Sequence, residues 1–339
     1  MDKLKDWIRR HQVAAFFILV FLITWPGFFL VFFIFPGNQI VEGLMMPVVF
    51  GPALGAMLVS GIAESSPKTK RTRAWWIIFV MSWIISSIVQ ILYFWKILDS
   101  DLSAPIIIIS CIFALFPAWV LSSVFSRSPG VRTHFTTLLK PKGSWVWYLV
   151  IFLIFPGIPL ISYGITRLFG GEAYFYLVEL GFSGAAVYLV LDFSRGFLMT
   201  GGINEESGWR GFALPRLQRR YPVLVSALIV WFFWAAWHLP YDFGRGDELA
   251  WILENRLFWN LVISIIMAWL YNRTDGSILA PALLHPAMNT FGNVFSFTPV
   301  SRVLIIVVAV IAIMSDQMWE KLPPDHRAVV QMPGNRDLT

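Results

Sequence analysis

The chain has 339 residues, of which 57% are hydrophobic and 14% are charged, and its mean hydropathy is +0.68. A soluble domain is usually about 45–50% apolar and about 25% charged, so these values exclude an ordinary soluble domain and indicate a polytopic membrane protein. The net charge of +6 does not indicate a nucleic-acid partner, because the basic residues lie in short loops between apolar runs. The single cysteine, Cys111, excludes an intrachain disulfide and a cysteine metal cluster.

Ten apolar runs approach the roughly 20 residues that a helix needs to cross the bilayer. The first is too long for the apolar part of a cleavable signal, which has about 7–15 residues, so we expect it to remain as a span. The eighth and tenth runs are short. We predict an all-α, polytopic transmembrane helix bundle of about eight to ten spans. The runs are 13–35, 40–62, 74–96, 104–126, 145–168, 178–200, 221–240, 257–271, 278–296 and 300–316.

Basic residues alternate between loops and predict the orientation of the chain. They precede the first span and lie after the second, fourth, sixth and last spans, whereas the loop after the third span carries Asp99 and Asp101. Since positive loops stay in the cytoplasm, both termini are predicted to be cytoplasmic. We expect an integral, multi-pass protein of a prokaryotic plasma membrane, with the bilayer as its constant partner.

The first ionisable cluster is Gly202-Ile203-Asn204-Glu205-Glu206-Ser207-Gly208-Trp209-Arg210-Gly211, directly after an apolar run. Ionisable groups at membrane depth are costly and indicate a functional site. Glu206 and Arg210 are four positions apart and should pair on one helix face, whereas Glu205 points about 100° away and is available for chemistry. Asn204 is expected to cap the new helix. A structural charge cluster at a cytoplasmic helix end explains these residues equally well.

A histidine in the next apolar run is the second polar position. His238 ends the segment Trp234-Ala235-Ala236-Trp237-His238. Taken alone it is more typical of a structural residue, because Trp231, Trp234 and Trp237 around it resemble an interfacial aromatic belt.

The third polar position is a His/Asn pair in the ninth run. His285 and Asn289 are four apart and share one helix face. Pro286 cannot donate to the carbonyl of Ala282, which leaves that oxygen for another donor. Hydrogen bonding between helices alone explains this pair as well.

Together the three segments supply what amide hydrolysis needs, namely a base for water, a proton donor for the leaving amine and donors for an oxyanion. No Ser or Cys stands in a nucleophile motif, which favours direct attack by water. Glu205, His238 and His285 also match a two-histidine, one-glutamate site for a divalent metal such as zinc, although the helical HExxH signature is absent. The residues therefore leave metal-assisted and metal-free hydrolysis open, and no cofactor is certain.

The order of these residues resembles the CAAX-protease and bacteriocin-processing (CPBP, or Abi) family of intramembrane proteases. The family's motifs read EExxxR, FxxxH and HxxxN or HxxxD. The first and third match fully, whereas Trp234 stands where the second usually has phenylalanine. The matching positions are Glu205, Glu206, Arg210, His238, His285 and Asn289.

The resemblance implies an all-helical bundle whose active site opens toward the cytoplasm. It implies that Glu205 and His238 activate water, that His285 and Asn289 form the oxyanion pocket, and that Glu206 and Arg210 support the site. The chain is then a single transmembrane domain over 1–339. Its parts are accessory spans over 1–177, the catalytic core over 178–296 and a cytoplasmic tail over 317–339.

We therefore predict an intramembrane endopeptidase that cleaves a peptide or protein substrate, membrane-associated or lipidated, at the membrane. The first alternative is a catalytically inactive scaffold or bacteriocin self-immunity factor of the same fold. The second is a proton-coupled transporter, but transporters more often carry matching broken helices in two halves, and no such duplication is visible. The sequence indicates no substrate-binding residues.

A shared site requires the three segments to converge. If one water lies between Glu205 and His238, the carboxylate and the ring should lie within roughly 3–7 Å of each other. His285 and Asn289 should face the same cavity as donors to an oxyanion. We expect that cavity to reach the cytoplasmic side, because Glu205 follows the predicted cytoplasmic end of its span.

The predicted orientation can be measured directly. A reporter fused at Thr339 and cysteine labelling beside Asp99 and Asp101 should report opposite sides of the membrane, because the positive loops set both termini in the cytoplasm. Labelling of both positions from one side would contradict the span map.

Overall fold

A computed structural model describes residues 2–64, 67, 69–70 and 72–324 of the chain. Within these residues the fold is helical, with no named strand and one isolated bridge between Phe175 and Phe295. Eight helical runs of the described part are long and apolar enough to cross a membrane. The prediction of an all-α, multi-pass membrane protein is confirmed. Most of the predicted tail, from residue 325 onward, lies outside the described residues.

The N-terminal half supplies α-helices that surround the later ones. Pro26 and Pro156 lie inside α2 and α9, whose apolar surroundings and length tolerate them. The helices are α1 (Asp2–Arg10), α2 (Gln12–Phe29), α3 (Gln39–Met45), α4 (Gly51–Ala63), α5 (Arg73–Lys96), α6 (Ala104–Phe113), α7 (Leu115–Ser122), α8 (Pro129–Phe135) and α9 (Val146–Leu168).

The C-terminal half carries all the motif residues. Its helices are α10 (Gly181–Met199), α11 (Ile203–Gly208), α12 (Leu214–Gln218), α13 (Val223–Arg245), α14 (Leu249–Ile252), α15 (Asn260–Arg273), α16 (Leu279–Val294) and α17 (Pro299–Ser315). The π-helical segment Trp209–Ala213 joins α11 to α12, and the π-helical segment Leu253–Trp259 joins α14 to α15.

The predicted sixth span, 178–200, is only the first part of a longer helical path. After a break at Thr200–Gly202, the path resumes at Ile203 and continues to Gln218. Glu205 therefore lies near the start of a new helical stretch. It precedes the basic residues that follow Gln218 by about 20 Å along the helix axis. The expected end of the sixth span at residue 200 is wrong, because the helical path continues past the glycines to Gln218. The side of the membrane nearest to Glu205 stays a prediction.

The eighth span is longer than predicted, whereas the ninth and tenth are short helices. The eighth, predicted as 257–271, belongs to a longer path, Leu249–Arg273, that includes a π-helical segment. The ninth and tenth correspond to α16, with 16 residues, and α17, with 17 residues. Both are slightly shorter than a full crossing, which takes about 20 residues.

The short helix α11 lies at the centre of the bundle. All six of its residues are buried, and it packs against α4, α10 and α16. A Cβ atom at Gly208 would lie 2.6 Å from Cβ of Pro52, so only glycine allows α11 to approach α4 this closely. The Gly51-Pro52 segment therefore forms a close helix contact, as small residues commonly do between membrane helices.

Candidate active site

The break between α10 and α11 is shaped by glycine. Gly201 has a φ of +124°, a conformation that L side chains rarely adopt. A Cβ at this position would also lie 2.8 Å from Nε2 of His285. The backbone of the break therefore passes directly against the His285 ring and brings the first motif to the third.

The predicted helix cap at Asn204 is wrong, because α11 already begins at Ile203 and Asn204 lies within its first turn. Its side chain instead accepts a hydrogen bond from Gly201 N at 2.7 Å and donates one to Val49 O at 3.1 Å. Asn204 is fully buried. It therefore ties the break to the segment that precedes α4 and fixes the start of the motif helix.

Glu206 joins the first and third motifs through its side chain. Its carboxylate accepts hydrogen bonds from Arg210 Nη1, at 2.9 Å to Oε1 and 3.2 Å to Oε2, as the four-residue spacing predicts. The same Oε1 accepts a hydrogen bond from Nδ1 of His285 at 2.8 Å. Glu206 and Arg210 are almost completely buried. This carboxylate is therefore paired with two groups and sets the orientation of the His285 ring.

Glu205 points away from this network, as predicted, and meets the second motif. Trp234 Nε1 donates a hydrogen bond to Glu205 Oε2 at 2.7 Å. The Trp234 ring also lies under the Arg210 guanidinium, with Cζ 4.4 Å from the ring centroid. Because Trp234 and Trp237 are each only 2% exposed, the aromatic-belt interpretation is wrong for both. Trp234 is instead a polar contact within the site.

His238 lies one turn after Trp234 on α13, where its Nδ1 is 2.8 Å from the Trp234 carbonyl oxygen. A carbonyl can only accept, so Nδ1 carries the hydrogen and the neutral ring keeps a lone pair on Nε2. The His238 ring centroid lies 5.7 Å from that of Trp234, and the His285 ring lies 5.5 Å from the same indole. One indole thus contacts both histidines and Glu205.

Asn289 is the one motif residue without a hydrogen-bonded contact to the others among the described residues. It lies four positions after His285 on α16, so the two residues share one helix face. Asn289 is partly exposed. The structure therefore brings together Glu205, Glu206, Arg210, His238 and His285. The Glu205–His238 separation and the opening of the cavity toward the cytoplasm stay predictions.

The described residues contain no group of three or more His, Cys, Asp or Glu side chains arranged to hold a metal ion. Trp234 donates to one oxygen of Glu205 and Glu206 accepts from Nδ1 of His285, which leaves Glu205 Oε1 and the Nε2 atoms of both histidines as the atoms that could be ligands. Metal-assisted hydrolysis stays a prediction, and we route no chemical step through a metal.

A second buried ion pair lies beyond His238 on α13. Asp242, one turn after the histidine and completely buried, accepts two hydrogen bonds of 2.7 Å from Arg256. Our sequence reasoning missed this pair, although the four-residue spacing of His238 and Asp242 was a visible signal. Arg256 lies in a separate segment, so its partner was not readable from spacing.

A hydrogen bond from α8 also fixes the position of α11. His134 Nε2 donates a hydrogen bond to the carbonyl oxygen of Ser207 at 2.9 Å. Burial, together with the positive charge of Arg216, lowers the pKa of His134 to about 3, so the ring is neutral at physiological pH. Sequence reasoning missed this contact because the two residues lie 73 positions apart.

The matches to known proteins cover the region that holds these contacts. Residues 187–291 match the family model described as type II CAAX prenyl endopeptidase Rce1-like. Over 186 residues the chain is 27% identical to "CAAX prenyl protease 2" of Methanococcus maripaludis. The aligned stretch covers 51% of this chain and 68% of that relative.

Both matches support the resemblance to the CAAX-protease and bacteriocin-processing family. This similarity supports an intramembrane endopeptidase with a membrane-associated protein substrate. The matched residues 187–291 include both glutamates, both histidines and Asn289, so the resemblance and the observed contacts concern the same part of the chain.

The buried Glu206–Arg210 pair should be essential for stability. Replacing either residue with alanine leaves the other charge unpaired in the bundle, which costs about 3–5 kcal/mol. We expect Glu206→Ala and Arg210→Ala to melt well below the wild-type protein in detergent.

Arg302→Ala is the matched control for that measurement. It breaks an ion pair with Glu254 in which both side chains are more than 40% exposed, and such pairs contribute only about 0–1 kcal/mol. Wild-type melting of Glu206→Ala and Arg210→Ala, with activity lost, would show that these groups act in the chemistry and not in the fold.

Proposed function

We propose that this chain is a CAAX-type endopeptidase that hydrolyses a peptide bond of a lipidated protein by means of an activated water. The single observation that carries this proposal is the set of contacts around Trp234, whose indole meets Glu205, His238 and His285 in one buried place. The substrate class comes from the names of the matching family model and relative, both of which are CAAX prenyl proteases.

In this mechanism Glu205 is the general base. Trp234 occupies Oε2 of its carboxylate, which leaves Oε1 to accept a proton from the attacking water. Nε2 of His238 bears the lone pair that accepts the second hydrogen of the same water and orients it. The water oxygen bonds to the scissile carbonyl carbon, and the proton held by Glu205 then passes to the amide nitrogen as the C–N bond breaks.

The tetrahedral intermediate carries a negative oxygen that needs donors. Asn289 supplies the side-chain amide N–H, and His285 supplies Nε2–H when its ring carries two protons. Glu206 orients that ring because its carboxylate accepts the hydrogen of Nδ1. Arg210 in turn compensates the charge of Glu206 and keeps the carboxylate in place.

Replacing the base should abolish hydrolysis without unfolding the protein. Glu205→Gln keeps the shape of the side chain but removes the proton acceptor, so turnover of a farnesylated CAAX peptide should fall by about 10² or more. Glu248→Gln is the control, because Glu248 is an exposed glutamate outside the motifs. Near-wild-type turnover by Glu205→Gln would refute the role of Glu205.

Comparative proteomics of membrane fractions carrying wild type or Glu205→Gln would extend the test to the natural substrate. A peptide cleaved only with the wild type identifies the substrate. If the wild-type protein cleaves neither the peptide nor any membrane protein, the inactive-scaffold interpretation is favoured.

Trp234 should position the base. Trp234→Phe introduces the residue that the family motif usually has, keeps an aromatic ring and removes the N–H that donates to Glu205, together with part of the indole ring. A hydrogen bond to a charged group contributes about 1.5–3 kcal/mol, so we expect kcat to fall at least about tenfold with KM nearly unchanged. Because this donor favours the ionised carboxylate, the acid limb of the pH–rate profile should move to higher pH.

Trp237→Phe is the matched control for this substitution. Trp237 is equally buried and packs against His238, but its Nε1 has no acceptor among the described residues. A pH profile unchanged in Trp234→Phe, or moved equally in Trp237→Phe, would contradict a positioning role for the Trp234 N–H.

A further inference from the structure

A cleft of about 620 Å³ lies apart from the motif site, between the start of α2, the end of α12 and the start of α13. Arginine side chains line one part of it and apolar side chains line the rest, and no Asp or Glu of the described residues is among them. The arginines are Arg9, Arg10, Arg216, Arg219 and Arg220.

The positive charge of this cleft is only partly balanced. Arg9 pairs with Asp6 at 3.0 Å, and both side chains are substantially exposed. Arg10 donates to the backbone oxygen of Asp6. Arg216 donates to Gln12 Oε1 and to the backbone oxygen of Phe212, which are neutral acceptors. Arg10, Arg216 and Arg220 have no acidic partner among the described residues, so the cleft presents guanidinium groups, which bind phosphate strongly through their forked donors.

The apolar part of the cleft lies deeper along the same helices. Phe17 and Ile18 follow the start of α2 by five and six residues, which places them about 8–9 Å along the helix from Gln12. Phe17 is buried and stacks on Phe233 of α13, with ring centroids 3.8 Å apart. Ile18 is 50% exposed, so the apolar wall opens toward the bilayer side of the bundle.

We propose that this cleft is a binding site for an anionic phospholipid. The arginines hold the headgroup phosphate, and an acyl chain lies on the apolar wall formed by Phe17, Ile18 and Ile229. Basic pockets between membrane helices bind anionic headgroups in this way. Free phosphate also offers anionic oxygens but has nothing to place on the apolar wall, so the combined surface fits an amphiphile. The proposal does not depend on the protease function.

The test titrates the full chain, purified in a neutral detergent, with short-chain phosphatidylglycerol. Binding is followed by native mass spectrometry and by melting temperature. Phosphatidylcholine with the same acyl chains and inorganic phosphate are the comparison ligands. We expect phosphatidylglycerol to bind and raise the melting temperature, and both comparison ligands to have much weaker effects. Equal effects of the two lipids, or full stabilisation by phosphate alone, would overturn the proposal.

Paired variants separate the cleft from the overall charge. Arg10→Gln with Arg220→Gln removes two charges from the cleft and should weaken phosphatidylglycerol binding at least about tenfold. Lys140→Gln with Lys142→Gln removes two charges from exposed lysines elsewhere and should leave binding unchanged. An equal loss in both double variants, or no loss in the cleft variant, would contradict the proposed site.

A measurement on the wild-type protein covers the case in which the cleft variant does not fold. Phosphatidylglycerol with a photoactivatable group on its acyl chain should cross-link to the α2 segment that contains Phe17 and Ile18, or to the α13 segment that contains Ile229. Cross-links confined to other parts of the bundle would overturn the assignment.

Discussion

The site depends on the carboxylate of Glu206, which is completely buried and accepts hydrogen bonds from two other side chains. A charge without partners in the bundle interior would be very costly, so Arg210 is needed to keep Glu206 there. Once paired, the carboxylate still has capacity for a third hydrogen bond, which it accepts from His285 on another helix. The Glu206–Arg210 pair thereby determines the orientation of the His285 ring on α16.

The backbone allows this contact because of three glycines. At Gly196 a Cβ would lie 2.8 Å from Pro286 Cβ, at Gly201 it would press on the His285 ring, and at Gly202 it would lie 2.9 Å from the carbonyl oxygen of Ala282. The last is the oxygen that Pro286 cannot bond. The irregular backbone at membrane depth is tolerated since it is enclosed by protein.

Local spacing predicted part of this arrangement. The four-residue separation correctly indicated the Glu206–Arg210 pair and the different direction of Glu205, and the apolar runs indicated the helical membrane fold. Spacing could not predict the contacts of Glu205 with Trp234 or of Glu206 with His285, since these residues lie 29 and 79 positions apart. It also failed at Asn204, because the bond to Val49 on a distant segment overrode its capping preference.

A second kind of error in the sequence predictions concerns tryptophan. In an apolar run it is counted as hydrophobic, and near a predicted helix end it is assigned to the bilayer interface. Its N–H usually finds an acceptor when it is buried, and in a low-dielectric interior a bond to a carboxylate is stronger than in water. Trp234 meets that need at Glu205, whereas the equally buried Trp237 has no acceptor among the described residues. Position in the run could not separate the two residues; only their surroundings do.

The two adjacent glutamates differ because their partners differ. Glu206 has an arginine and a histidine at hydrogen-bond distance, and both its oxygens are occupied. Glu205 has a neutral N–H on one oxygen, and its other oxygen accepts no hydrogen bond in the described part of the chain. A carboxylate held by cations is poorly suited to take up a proton, whereas one held by a neutral donor can do so and remain in place. Their contacts therefore support the proposed roles of Glu205 as the base and of Glu206 as the supporting group, independently of the family motif.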